Sequence, residues 1–145
     1  MKRKYGLLGL LLVSGADTAA RNKVRPKNVL FIAVDDMKPA LGCYGDPMAR
    51  TPHIDALAAD GVVFRRAYCQ QAVSGPTRAS LLTGLRPEEV GVTELNTWMR
   101  AKHPDVVTLP QAFREAGYET RGVGKIFHGT KNSLDERSWS ERPSL

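Results

Sequence analysis

The run Val29-Leu30-Phe31-Ile32-Ala33-Val34 constrains this chain more than any other stretch. An unbroken apolar run of strand length is the pattern of a central strand buried on both faces. It ends in Asp35-Asp36, at the carboxyl end of the strand, where open α/β sheets put their ligands. Like charges side by side are costly unless a cation neutralises them, and their oxygens suit Ca²⁺ or Mg²⁺. Taken alone, the same pair also reads as a turn with a solvated helix cap.

Strand and helix signals then alternate. Leu41 to Asp46 is a glycine-punctuated loop. Thr51-Pro52 opens a helix, with Ile54, Leu57 and Ala58 as its apolar face and Gly61 at its end. His53 falls in its first turn and reads as structural or exposed. Val62 to Tyr68 reads as a second strand. Thr108 and Gln111 have the spacing of a capping box, Leu109, Ala112, Phe113 and Ala116 form the expected buried face, and Gly117 closes that helix. A third strand, Tyr118 to Val123, leads into Gly124-Lys125-Ile126-Phe127-His128-Gly129. This order predicts a wound α/β sheet, with Lys125 and His128 emerging near the edge that carries Asp35 and Asp36. There the pair would hold an oxyanion and handle protons. Leu85 to His103 reads as a loop-rich segment in which Asn96 and Trp98 border a pocket.

Between the second strand and that segment lies Ser74-Gly75-Pro76-Thr77-Arg78-Ala79-Ser80-Leu81-Leu82-Thr83-Gly84. Pro76 suits the first turn of a helix, which Gly84 would end. Ser74 and Gly75 are therefore expected just before a helix N-terminus, where unpaired N–H groups favour an anion. Arg78, one turn on, would aim a fixed cationic fork at Ser74. A hydroxyl so placed is a candidate nucleophile toward a sulfuryl or phosphoryl group. A capping serine beside a solvated arginine is the plainer reading of a bare S-x-P-x-R.

The longer string resembles the signature of the sulfatases, with every fixed position filled. N-V-L-F-I-A-V-D-D, T-P-H-I-D-A-L-A, T-L-P-Q-A-F-R-E-A-G-Y and G-K-I-F-H also occur in the order of a sulfatase N-terminal half. L-G-C-Y-G-D, G-K-I-F-H and Ser138-Trp139-Ser140 look most like the iduronate-2-sulfatase branch. The resemblance implies an alkaline-phosphatase-like α/β sandwich with a central mixed, largely parallel sheet. It implies that Ser74 is oxidised by a serine-type maturase to formylglycine, an aldehyde that hydrates to a geminal diol. A plain serine would be left as a stable sulfate ester, whereas a diol attacks with one hydroxyl and expels sulfate by deprotonating the other. By the same resemblance Asp35, Asp36 and the modified Ser74 would ligate Ca²⁺. Arg78 would stabilise the diol, and Lys125 and His128 would contact the sulfate of a sulfated sugar. Family members are several-fold longer, and their second half brings further metal and sulfate ligands. The expectation is thus an N-terminal part, residues 28–145, that is inactive alone. The alternatives are a phosphoryl-transferring relative with an unmodified serine and a non-catalytic binding module.

Composition adds bounds. The 145 residues suffice for one small core, and the formal charge is +6. Lys2, Arg3, Lys4 and Asp17 account for +2 of it, leaving +4 scattered over the rest, with no basic run of the kind a nucleic acid needs. Lys2 to Lys4, the apolar Leu7 to Val13 and the small residues Thr18-Ala19-Ala20 read as an export signal over residues 1–20, followed by a linker over 21–27. The apolar run is too short for a stable membrane span. Export, to the periplasm or outside the cell, would let Cys43 and Cys69 pair, although two buried thiols fit the sequence equally well.

Overall fold

The structure is a computed structural model and describes residues 27–145. The expected export signal, and the linker apart from its last residue, lie outside the described residues. The chain divides into two compact units at Phe31 and Ile32. Of the first, the described residues are exposed and have no regular structure, Leu30 being 84% exposed.

The second unit is built from short helices. A 3₁₀ turn at Gly42–Tyr44 precedes α1 (Pro52–Asp60), α2 (Ser74–Thr83), α3 (Pro87–Val90), α4 (Met99–Lys102), α5 (Leu109–Glu115) and α6 (Thr130–Ser133). None of these is long and apolar enough to cross a membrane.

The three expected strands are not formed among the described residues, so the predicted sheet is not formed there either. Ile32 and Val34 have no regular structure and are exposed, as are Val62, Phe64 and Tyr68. The segment Tyr118 to Val123 comes nearest to a strand. Thr120 accepts the Ser140 N–H at 2.9 Å, Gly122 accepts that of Ser144 at 3.1 Å, and one parallel bridge joins Val123 to Ser144. The reason is physical: a strand satisfies its N–H and C=O groups only on neighbouring chain. An apolar run specifies a wish for burial, not the surface that provides it.

The core instead gathers Ala79 and Leu82 from α2, Val90 from α3, Val92, Met99 from α4, Val106, Phe127 and Trp139. Four of these (Val90, Val92, Met99 and Val106) come from residues 90–106, most of them inside the segment expected to be loop bordering a pocket. Phe127 and Trp139 meet edge to face, with ring centroids 6.0 Å apart.

Helix boundaries follow the sequence better than helix faces do. Pro52 starts α1 and α2 ends at Gly84 as expected. Yet α1 buries no residue, and its expected apolar face, Ile54 and Leu57, is exposed. Polar contacts hold it: Thr51 Oγ1 bonds to Asp55 at 3.0 Å, and Asp55 accepts the Cys43 N–H at 2.7 Å. In α5 the capping half of the box forms, Thr108 Oγ1 accepting the Gln111 N–H at 3.2 Å. The Gln111 side chain turns away to Arg100 and Glu115, and Gln111 rather than the apolar face is the buried residue. Neither cysteine expectation holds: both thiols are free, Cys43 half-buried and Cys69 exposed.

Candidate active site

The helix carrying Ser74 begins at Ser74 itself, two residues before Pro76. Val73 is its extended N-cap, and the first helical bond runs from the Thr77 N–H to the Val73 carbonyl at 3.1 Å. Pro76 sits in the first turn, where its missing N–H costs nothing. Gly75 is required for a steric reason. A Cβ there would lie 2.9 Å from the Glu94 carbonyl oxygen and 3.0 Å from the Leu95 Cα, both backbone. The first turn of α2 can approach that loop only without a side chain at residue 75.

Three side chains from two segments converge on one carboxylate. Asp35 accepts from Ser74 Oγ at 3.1 Å and from Arg78 Nη2 at 2.9 Å, while its other oxygen is ion-paired with Lys125 Nζ. These donors stand 39, 43 and 90 residues away in the sequence. The Lys125 ammonium first, then the Arg78 guanidinium, hold the Asp35 carboxyl far below the usual carboxylate range; slight desolvation opposes them and Ser74 adds to them.

Arg78 has a second task. Its Nη1 donates to the carbonyls of Lys125 and Ile126, at 2.6 and 2.9 Å. A buried guanidinium thus pins the Lys125 segment to the Asp35 turn, using the planar fork that lysine lacks. The expected aim of Arg78 at Ser74 is not what forms: Arg78 reaches Asp35 and the Lys125 and Ile126 carbonyls, and Ser74 meets it only through the shared carboxylate. Trp139 supports the same segment from below, since a Cβ on Gly122 would come within 2.9 Å of its ring.

Neither Asp36 nor His128 makes a hydrogen bond or ion pair with this cluster among the described residues. Asp35 and Asp36 form a turn, with Asp36 exposed in the left-handed region at φ 50°. The turn of the plainer reading is thus present, with Asp35 rather than Asp36 carrying the contacts to Ser74, Arg78 and Lys125. His128 is half-buried, and its Nδ1 is buried with no hydrogen-bond partner. Most buried polar nitrogens in folded proteins have a hydrogen-bond partner, so this one stands out among the described residues.

The oxygens of Asp35, Asp36 and Ser74 are the donor type that a hard divalent cation takes. They fit Ca²⁺ in kind and fall short in number, since no group of three or more metal-binding side chains forms among the described residues. A cavity of about 750 Å³, lined by Tyr68, Cys69, Thr77, Ser80 and Arg86, contains none of the site residues.

One buried assembly had no local signal in the sequence. Arg100 and Asp135 form a two-pronged ion pair, Nε–Oδ1 at 2.5 Å and Nη2–Oδ2 at 2.7 Å. Arg100 also donates to the Val106 carbonyl at 2.6 Å and to Gln111 at 2.8 Å, and Ser138 donates to Asp135 at 2.6 Å. Burial pushes the Asp135 carboxyl up, but hydrogen bonds from Arg100 and Ser138 and the charges of Arg100 and Arg137 outweigh it and hold it below its ordinary value. The pair is 35 residues apart, so only folding brings it together.

A family profile described as Sulfatase matches residues 27–137, and the chain belongs to that family. Human iduronate 2-sulfatase is 43% identical over 145 residues, covering 94% of this chain and 26% of the human protein. A sulfatase of Formosa agariphila is 34% identical, covering 88% of this chain and 27% of its own length. An N-acetylglucosamine-6-O-sulfatase of Bacteroides thetaiotaomicron is 36% identical, covering 82% and 21%. The chain spans about a quarter of the length of these relatives.

Proposed function

We propose that this chain is the N-terminal part of an exported sulfuric ester hydrolase acting on sulfated sugars of the kind iduronate 2-sulfatase is named for. The observation that carries the reading is the convergence of Ser74, Arg78 and Lys125 on Asp35, with the full signature Ser74 to Gly84 wrapped on the helix that begins there. The family match does not favour the phosphoryl-transfer alternative.

In this reading Ser74 is the residue a serine-type maturase oxidises to formylglycine. Asp35, Asp36 and residue 74 would hold Ca²⁺, with further oxygens supplied by the part of the relatives' length that this chain does not span. Bound there, the cation would neutralise charge on the attacking oxygen and on the sulfate. Lys125 would turn its ammonium to a sulfate oxygen, adding fixed positive charge where charge develops. Arg78 keeps the Lys125 backbone and the Asp35 turn at constant separation. His128 would exchange a proton with the reacting or leaving oxygen through its imidazole. The complete protein would have the α/β sandwich, with Val29–Val34, Val62–Tyr68 and Tyr118–Val123 as strands of its largely parallel sheet.

The test is to express the whole open reading frame carrying these residues with a serine-type maturase and assay sulfate release from sulfated uronic-acid disaccharides. Turnover that depends on Ser74, together with loss of two hydrogens from the Ser74 peptide by mass spectrometry, is the expected result. A serine left unmodified in a maturase-competent host would overturn it.

A further inference from the structure

Asn132 lies outside the signature, on the short helix α6, and is buried. Its side-chain amide is employed on both sides. Oδ1 accepts the Met99 N–H at 3.1 Å, and Nδ2 donates to the carbonyls of Thr97 and His128, both at 3.0 Å. The orientation is fixed by chemistry, because a flipped amide would set its oxygen against two carbonyl oxygens and its nitrogen against an N–H.

What the amide ties together is unusual. On one side is His128, whose Nδ1 has no partner among the described residues, so no hydrogen bond from Nδ1 to them orients the ring. The placement of the imidazole therefore depends on its backbone, fixed at Phe127 by burial in the core and at the His128 carbonyl by Asn132. On the other side is the start of α4. Met99 is anchored in the core, and the neighbouring Trp98 ring carries the Lys131 ammonium 3.8 Å from its centroid. One side chain links the backbone that carries the unpartnered imidazole to this edge.

We propose that Asn132 is a positioning residue: by holding the His128 carbonyl against Thr97 and Met99, it fixes where the imidazole meets the substrate. What His128 does there rests on the sulfatase reading; that Asn132 fixes it does not. Asparagine alone among the natural residues of this length offers two donors and an acceptor. Asn132→Asp keeps the acceptor for Met99 and reverses both donor contacts, leaving a carboxylate facing two carbonyls.

The experiment uses the full-length protein carrying this chain, with ¹³C-labelled histidine, in three forms: unsubstituted, Asn132→Asp, and Phe113→Ala as a destabilised control remote from these contacts. The His128 ring resonance, assigned with His128→Asn, should shift or broaden in Asn132→Asp, while those of His53 and His103 stay in place. In kinetics, kcat should fall about ten- to a hundredfold, as small misplacements of a reacting group do, with KM changed less than about threefold. Phe113→Ala should melt earlier yet keep kcat and the His128 resonance. Should Asn132→Asp not fold, Asn132→Ser deletes the contacts without adding charge and carries the same measurements. An unmoved His128 resonance in a folded Asn132 variant overturns the proposal, as does a kcat loss shared equally by Phe113→Ala. A shifted resonance in a protein with no sulfate-releasing activity would sink the sulfatase reading and leave the positioning role standing.

Discussion

Residues 32–68 and residues 74–139 dispose of their side chains in opposite ways. The first stretch is rich in strand-forming apolar residues and leaves them in solvent, with Phe64 71% exposed. The second buries two arginines, an aspartate, a glutamine, an asparagine and five hydroxyl residues beside its apolar core, with Arg100 only 8% exposed. Burial here follows the availability of a complementary surface, not the polarity of the segment. Arg100, Asp135, Ser138, Thr108 and Gln111 supply one another's hydrogen bonds, so the cost of desolvation is met locally. The apolar runs need a neighbouring strand on each side, and no described segment provides it.

The contrast breaks first at the ion pair. Asp135→Asn should cost about 3–5 kcal/mol, because it leaves Arg100 buried without its counter-charge. Urea titration measures it, and a loss below about 1 kcal/mol would show that the pair is solvated. Its pH dependence has a definite sign. The folded carboxyl titrates below the unfolded one, near 3.9. Its contribution is therefore complete above about pH 4 and is lost as pH falls through the depressed folded value. Stability curves of the parent should steepen in that acid window and those of Asp135→Asn should flatten.

Phe127→Ala should cost about 3–5 kcal/mol by emptying the contact with Trp139, with a drop in melting temperature to match. Gly75→Ala tests the close approach at the candidate site, and about 1–3 kcal/mol is expected from forcing the Glu94–Leu95 backbone to move. The same change should lower activity of the full-length protein by displacing Ser74. Wild-type activity in Gly75→Ala would show that the loop yields freely.

The smallest effect sharpens the comparison most. Phe64→Ser in the 145-residue chain should change stability by no more than about 0.5 kcal/mol, as expected of an exposed site. In the full-length protein it should cost several-fold more, if residues 62–68 become a buried strand there. Equal small losses in both would mean that this stretch is never covered.

Much of the candidate site is legible in the sequence because its signals are local. Ser74, Pro76, Arg78 and Gly84 lie within three turns of one helix, so their spacing alone predicts the helix and its anion-friendly start. Asp35 and Asp36 stand out as charges ending an apolar run, and Lys125 and His128 follow a glycine. Thr51-Pro52, Thr108 and Gly117 mark helix ends for the same reason: caps act within four residues. What the sequence could not indicate is who meets whom. That Lys125 and Arg78 share one carboxylate, that Arg78 clamps the Lys125 backbone, and that Gln111 rather than Phe113 faces inward were decided by contacts across tens of residues. The same holds for Arg100 with Asp135 and for Asn132 with His128. Sequence alone determined the local conformations and the chemical types at the site. Tertiary structure decided the partners and the buried faces, because burial belongs to a pair of surfaces and one segment carries only half of it.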